Sequence, residues 1–178
     1  MIENLRNVMN PPKYPNEIGN LQGWIDVEEK LGIKLPNDYK EFITVYGSGY
    51  IGDFLWVLNP FSKDGNLYDD MKHFQWAYSE LRKDFPKDYP RLPFPENNSL
   101  IIWGATDNGD YLFWVYDKDV EPNNWKVGIY DNDYNQEDIF EMNMSTFLEK
   151  LVKNEIETDA FPEDWLEMKN KVFKSLYS

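Results

Sequence analysis

The segment Ile101-Ile-Trp-Gly-Ala-Thr-Asp-Asn-Gly-Asp-Tyr-Leu-Phe-Trp-Val-Tyr116 decides how this chain folds. Two apolar runs, 101–103 and 111–116, flank the pair Asn108-Gly109, and an Asn-Gly pair in that setting is a strong signal for a β-hairpin. The second run lacks polar alternation, so we expect both of its faces to be buried near the centre of a sheet. The segment therefore predicts a central hairpin.

Further strands are predicted on either side of this hairpin. Residues 54–58 are bulky, lie between Gly52 and Pro60, and form a run too short for an independent helix. Residues 125–130 form another strand, which ends in a polar turn at 131–136. These runs predict a sheet of several strands.

Helical patterns alternate with the strands. One is predicted from Glu17 to the cap at Gly32, a second follows Pro36 and ends at Gly47, and a third lies within 66–84. The order of helices and strands predicts an α+β single domain, with a mixed or antiparallel sheet and helices packed against it.

Two more helices are predicted toward the C-terminus. Thr146 and Glu149 fit a capping box at the start of one. Pro162 opens the other, an extra C-terminal helix whose core-facing stripe consists of Trp165, Met168, Val172 and Leu176. The prolines of residues 1–16 predict an arm that forms no element of its own and can be truncated at little cost. We therefore assign residues 17–178 to the domain.

Composition bounds the functional class. The 178 residues are 42% hydrophobic, which suffices for a core, and no run approaches the roughly 18 apolar residues of a membrane span. The first residues do not resemble a secretory signal, so we expect a cytoplasmic protein without membrane contact. The absence of cysteine excludes disulfides, thiol nucleophiles and thiolate metal sites.

Acidic residues concentrate in one part of the chain. Between Gly104 and Glu141 there are ten carboxylates against two lysines, within a chain of net charge −14. The aromatic residues among them predict folded structure, and a folded acidic surface attracts basic partners and repels nucleic acid. A solvated face that serves only solubility is the alternative. We predict partner contacts from Asp107, Asp110, Asp117, Asp119, Glu121, Asp131, Asp133, Tyr134, Glu137 and Asp138, with Tyr134 or Trp125 as an exposed aromatic anchor.

Chemical sites are weakly indicated. His73 is the single histidine and favours neither a catalytic triad nor a multi-histidine metal site. Residues 131–142 open like a calcium loop but carry Gln136 and Met142 where glycine and glutamate are required. Carboxylate pairs with sugar-stacking tryptophans, such as Trp103 and Trp114, are a further alternative. We predict no catalytic residue, cofactor or metal.

Between residues 17 and 152 the chain carries, in order, Leu35-Pro-Asn-Asp-Tyr39, Tyr46-Gly-Ser-Gly49, Ile102-Trp-Gly104 and Thr106-Asp-Asn-Gly-Asp110. In order and spacing these motifs resemble the SUKH superfamily. This superfamily includes bacterial immunity proteins that neutralise polymorphic toxins and a fungal regulator of cell-wall synthesis. The resemblance implies an α+β domain that binds a protein and has neither catalytic residues nor a cofactor. Structural motif positions in this chain are Trp24, Pro36, Tyr39, Gly47, Trp103, Gly104, Gly109 and Trp114.

Resemblance and charge together predict a cytosolic immunity protein that neutralises a basic, nuclease-type toxin domain. The alternative is a regulatory module that binds an endogenous protein, and a third hypothesis is an enzyme acting on cell-wall sugar. Oligomeric state stays open.

Overall fold

The computed structural model of the chain describes residues 2–176, in which one antiparallel sheet carries helices on both faces. Its helices are α1 (Glu3–Val8), α2 (Leu21–Leu31), α3 (Asn37–Tyr46), α4 (Leu67–Asp84), α5 (Met144–Val152) and α6 (Glu163–Leu166). Its strands are β1 (Gly49–Ile51), β2 (Leu55–Val57), β3 (Leu100–Thr106), β4 (Tyr111–Val115), β5 (Val127–Asp131), β6 (Gln136–Phe140) and β7 (Phe173–Ser175). The predicted α+β class is confirmed.

Strands β1 to β6 form an antiparallel meander, and the last strand, β7, pairs with β1 at the edge of the sheet farthest from β6. Its order is β6-β5-β4-β3-β2-β1-β7, and every neighbouring pair is antiparallel. The predicted hairpin is confirmed as β3 and β4, joined by residues 107–110 with Gly109 at φ 91°. Leu112, Phe113 and Trp114 are fully buried, as expected for a strand covered on both faces.

Alternation along the strands sends side chains to two different layers. Trp114 packs edge-on against Tyr39 of α3, with ring centroids 5.2 Å apart, on the face that also carries α5. Tyr111 points the other way and packs against Phe74 of α4 at 5.0 Å. The sheet therefore forms the middle layer of the core.

Helix ends follow the predicted chemistry at some positions and not at others. Gly32 takes the left-handed conformation at φ 73°, as predicted. Pro36, predicted in the first turn of the next helix, is the N-cap of α3, which begins one residue later at Asn37. The first predicted helix begins later than Glu17, at Leu21, because the Asn20 side chain accepts a hydrogen bond from the Gly23 N–H.

The prediction of a capping box at Thr146 is wrong. Asn143 caps α5 instead, and its side-chain oxygen accepts the Thr146 N–H at 3.0 Å. The helix therefore begins at Met144, a buried residue that the box pattern had placed outside it.

The prediction that residues 1–16 form no element is wrong. Glu3–Val8 is helical and packs against α5, and Ile2, Leu5 and Met9 are buried. The sequence pattern hides this helix because one short turn with three apolar side chains has little periodicity. Tertiary burial stabilises it, since an isolated helix of this length is unstable in water.

The prediction of a C-terminal helix that continues past its first turn is also wrong. α6 ends at Leu166, and the chain returns as β7 beside β1. The Lys171 ammonium is buried and donates to the carbonyl oxygens of Leu166 and Met168, which satisfies the end of the short helix. Val172, assigned to the core stripe, is 50% exposed, whereas Phe173 is buried.

Strand β6 was not predicted. Gln136–Phe140 is polar at most positions and forms the outer strand beside β5, where one face is solvated. Among residues 2–176, none of the helices has the length and apolar character that crossing a bilayer requires.

Glu28 links α2 to the loop that leads into α3. Its side chain is 6% exposed and accepts hydrogen bonds from Lys34, from Lys40 and from the backbone N–H of Leu35, at 2.8, 2.8 and 3.0 Å. Burial opposes ionisation, but these hydrogen bonds outweigh it, so the pKa of Glu28 is lowered.

We expect Glu28→Gln to lower the free energy of unfolding by about 1–3 kcal/mol at pH 7, because an amide cannot accept from all three donors. A lowered folded-state pKa gives stability above the unfolded pKa that is lost as pH falls through the folded value. The difference should therefore shrink in acid, which urea denaturation across pH measures. Glu29→Gln, on the exposed neighbour, is the control. An equal loss at every pH would contradict the role of the ionised carboxylate.

Candidate partner-binding site

The predicted acidic region is divided between two ends of the sheet. Consecutive connections of an antiparallel meander lie at opposite ends, so the β3–β4 and β5–β6 turns share one end and the β4–β5 connection lies at the other. We name residues 107–110 and 131–135 the hairpin end, and residues 116–126 the opposite end.

At the hairpin end, two carboxylates have distinct surroundings. Asp107 is exposed and accepts a hydrogen bond from the Trp56 indole at 2.7 Å. Asp110, expected at the surface, is only 4% exposed; its carboxylate accepts from the Thr106 hydroxyl and the Asn132 N–H. Burial raises the pKa of Asp110, and the charges of Asp131 and Asp133 raise it further. The two turns are therefore adjacent.

The β5–β6 turn presents an ordered acidic loop. The Asp131 side chain accepts the N–H groups of Asp133 and Tyr134, both at 3.0 Å, which fixes the turn. Asp133 is exposed, and Tyr134 is 75% exposed. Within residues 2–176, no salt bridge involves any of the four hairpin-end aspartates.

The opposite end carries a more balanced set of charges. Asp119 and Glu121 are exposed, and the Asp117 side chain accepts the Asp119 N–H at 2.9 Å. Lys118 and Lys126 lie in the same connection and are exposed, and Lys126 is paired with Glu141. Lys118 therefore offsets part of the negative charge of this end, whereas the two turns of the hairpin end contain no lysine or arginine.

The two predicted carboxylates of β6 are already engaged. Glu137 forms a two-pronged ion pair with Arg91, with contacts of 2.6–2.8 Å, and both side chains are largely buried. Asp138 is exposed and accepts the Thr158 hydroxyl at 2.7 Å. Glu137 therefore contributes little free negative potential.

Of the two aromatic side chains predicted as exposed anchors, Tyr134 is exposed and Trp125 is buried. Trp125 is 4% exposed, and its indole N–H donates to the carbonyl oxygens of Asp117 and Val120. A side chain held in this way shapes the loop and is closed to a partner, so the expectation that Trp125 is exposed is wrong.

The motif residues occupy the interior and the turns. Tyr39 is buried and donates its hydroxyl to the Leu58 carbonyl at 2.6 Å; burial raises its pKa well above the usual value. Trp24 packs edge-on against Tyr39 and Phe61. The remaining positions are buried or are glycines at turns and close contacts, namely Pro36, Gly47, Trp103, Gly104, Gly109 and Trp114.

The arrangement gives no support to the sugar or metal alternatives. Trp103 and Trp114 are at most 1% exposed, so neither ring can stack on a ligand. His73 is exposed on α4, with its ring 6.0 Å from that of Trp76. In the described part of the chain, no group of three or more histidine or carboxylate side chains is placed to hold a metal ion.

Sequence reasoning missed the residues that border β6. Arg91 reaches both Glu137 and Asn98, across separations of 46 and 7 positions along the chain. No local pattern links Arg91 to Glu137, which lies 46 positions away, and the proline-rich segment 86–98 gives no indication of the ion pair. The opposite charges of these two residues are the one signal in the sequence that could have suggested it.

The comparisons with known proteins agree with the fold. A family model described as SUKH_6, SMI1-KNR4 cell-wall, matches residues 22–148. Neither the curated proteins nor the solved structures gave a match. Membership of such a family supports a protein-binding role in general terms. Since the matched range covers most of the chain and all its motif positions, the protein belongs to the SUKH_6 family of the SUKH superfamily.

Proposed function

We propose that this protein is a non-catalytic immunity protein that binds a basic toxin domain of nuclease type in the cytosol and blocks it. The observation that carries the proposal is the hairpin end, where Asp107, Asp131 and Asp133 lie on adjacent turns together with the exposed Tyr134 and form no ion pair within residues 2–176. Family membership supplies the protein-binding class.

The mechanism is steric and electrostatic. A nuclease needs lysine and arginine side chains where it grips phosphates, and spaced carboxylates can occupy the same groove. Charged residues accelerate the encounter, while a central aromatic side chain excludes water and supplies most of the affinity. The hairpin end offers both kinds of group on ordered turns, so little conformational freedom is lost on binding.

The direct test is rescue. An immunity protein of this kind is expected to be encoded beside its toxin, so the reading frame next to its gene supplies the candidate toxin domain at its C-terminal end. The protein is co-expressed with this domain in a bacterial host, and growth is compared with that of cells expressing the domain alone or an inactive variant of the domain. We expect the domain alone to arrest growth and co-expression to restore it. Growth arrest that persists at equal expression of the folded protein would refute the proposal.

We expect the double variant Asp131→Asn, Asp133→Asn to associate with that domain about tenfold more slowly at low salt, because two steering charges are removed. The Asp131→Asn change keeps a side-chain oxygen that can accept the two hydrogen bonds of the turn, and the Asp133 side chain accepts neither of them. Stopped-flow mixing at several salt concentrations measures the rate, and its salt dependence should flatten.

The matched control is Asp117→Asn, Asp119→Asn. It removes the same charge from a similar turn at the opposite end, where Asp117 likewise accepts the N–H two residues on. A smaller effect is expected there. Equal slowing by both pairs would mean that net charge, and not the hairpin end, governs association.

A regulatory module is the second candidate, favoured by the cell-wall description of the matched family. It predicts capture of an endogenous basic protein by the wild-type chain and no growth arrest from any neighbouring reading frame. The same rescue experiment therefore separates the two functions.

A further inference from the structure

The outer strand β6 has an unpaired edge. It stands first in the sheet order and pairs only with β5, and within residues 2–176 no other strand lies beside it. Gln136 and Asp138 are exposed, and Ile139 is 43% exposed. An exposed strand of this kind can accept another strand through its backbone groups.

The register identifies which backbone groups face outward. The Asp138 carbonyl oxygen lies 2.6 Å from the place that a Cβ on Gly128 would occupy, so it is directed toward β5. Along an antiparallel strand the backbone groups of successive residues point to opposite sides. The N–H and C=O groups of Glu137 and Ile139 therefore point away from β5, toward an incoming chain.

Two recesses lie beside this edge on the face that carries α4. One, of about 880 Å³, is lined in part by Phe85, Arg91, Tyr134 and Glu137. The other, of about 260 Å³, is lined by Val115, Val120 and Ile139 together with polar residues that include Asp117 and Lys126, and Asn98 borders both. Glu137 and Ile139 are two residues apart and share a face, so alternate side chains of an added strand would lie over the two recesses.

Charge selects the kind of chain that can bind there. Residues 136–141 contain three carboxylates and no base. Glu137 and Glu141 are paired with Arg91 and Lys126, whereas the Asp138 carboxylate accepts from the Thr158 hydroxyl and forms no salt bridge within residues 2–176. If two copies of the chain paired through β6 about Asp138, their two Asp138 carboxylates would lie opposite each other, and such a pair of like charges is destabilising. A strand that carries lysine would instead place an ammonium group opposite Asp138.

We propose that β6 is a strand-addition site for an extended segment of a protein partner, in which basic residues facing Asp138 alternate with apolar residues facing the two recesses. This inference rests on the proposed partner-binding function and assigns it a second contact. Tyr134 joins the two regions, since it belongs to the hairpin end and also lines the larger recess.

The probe is a blocked peptide of about ten residues in which lysine alternates with valine, long enough to span a typical strand. Binding to the full chain is followed by fluorescence titration and by amide exchange. We expect the Glu137 and Ile139 amides to exchange about tenfold more slowly when the peptide is bound, because they acquire acceptors. A glutamate–valine peptide and a lysine–proline peptide should not bind.

The variant Ile139→Pro removes an outward N–H at an edge position, where proline is tolerated in sheets. We expect it to weaken lysine–valine peptide binding about tenfold or more. Ile139→Val keeps the N–H and should bind like the wild type, and circular dichroism verifies that both variants are folded. Unchanged binding by Ile139→Pro, or binding of the lysine–proline peptide, would overturn the inference.

Two outcomes separate this inference from the proposed function. If Ile139→Pro still rescues growth and binds the toxin domain with wild-type affinity, strand addition is refuted while immunity stands. If the wild type fails to rescue, immunity is refuted whatever the peptide does.

A second copy of the chain is the competing occupant of the β6 edge. If the Glu137 and Ile139 amides exchange slowly without peptide, and more slowly as the protein concentration rises, a second copy occupies the edge and the basic partner is refuted.

Discussion

Deletion of residues 2–9 is expected to abolish the folded state at 37 °C. The segment buries Ile2, Leu5 and Met9, each at most 2% exposed, and each such side chain contributes roughly 1.5–3 kcal/mol. The loss of about 5–9 kcal/mol is comparable with the whole stability of a typical domain, 5–15 kcal/mol. The Tyr46 hydroxyl also loses its acceptor, the Met9 carbonyl at 2.6 Å. Loss of the circular dichroism signal of the folded chain is the readout.

A point variant keeps this prediction measurable where the deletion yields no folded protein. Leu5→Ala should lower the free energy of unfolding by about 2–5 kcal/mol, since it removes a buried side chain between α1 and α5. Asn4→Ala changes the exposed neighbour and should stay within about 0.5 kcal/mol. Urea denaturation of both variants decides. A stable, cooperative deletion protein would mean that residues 1–16 are a dispensable arm.

Phe173→Ala is expected to lower the free energy of unfolding by about 3–5 kcal/mol. The Phe173 ring is 8% exposed and packs edge-on against Tyr46 and Phe42 of α3, at 5.2 and 5.9 Å. Its removal leaves a cavity between the sheet and α3 and weakens the pairing of β7 with β1. Urea denaturation monitored by circular dichroism measures the loss.

The neighbouring residue provides the control. If the C-terminal segment were helical, Val172 would lie in the core. In the structure it is 50% exposed, so Val172→Ala should change the free energy of unfolding by no more than about 0.5 kcal/mol. A helix would give the opposite ranking of the two variants. A larger loss for Val172→Ala than for Phe173→Ala would therefore contradict the β7 strand.

Several elements that local chemistry specifies were predicted correctly. The Asn-Gly pair, the cap at Gly32 and Pro36 each act over a few residues, so the hairpin and two helix ends could be located without tertiary information. The family resemblance rested on such local motifs in a fixed order, and residues 22–148 match a family model.

The prediction of one acidic surface did not allow for the topology. Residues 107 and 121 are close in sequence but lie at opposite ends of the sheet, because each strand of a meander reverses the chain. Asp110 was assigned to the surface by its charge alone, although the adjoining turn buries it. The number of carboxylates can be read from the sequence, but which of them lie on the same surface of the fold cannot.

By itself the sequence determined the fold class, the central hairpin, the family and the excess of negative charge, because composition, turn chemistry and short periodic patterns are properties of neighbouring residues. Only the tertiary structure decided that residues 3–8 are a helix, that residues 173–175 are a strand, and which acids converge. These features depend on contacts between residues far apart in the chain, which supply the burial and backbone pairing that short segments lack on their own.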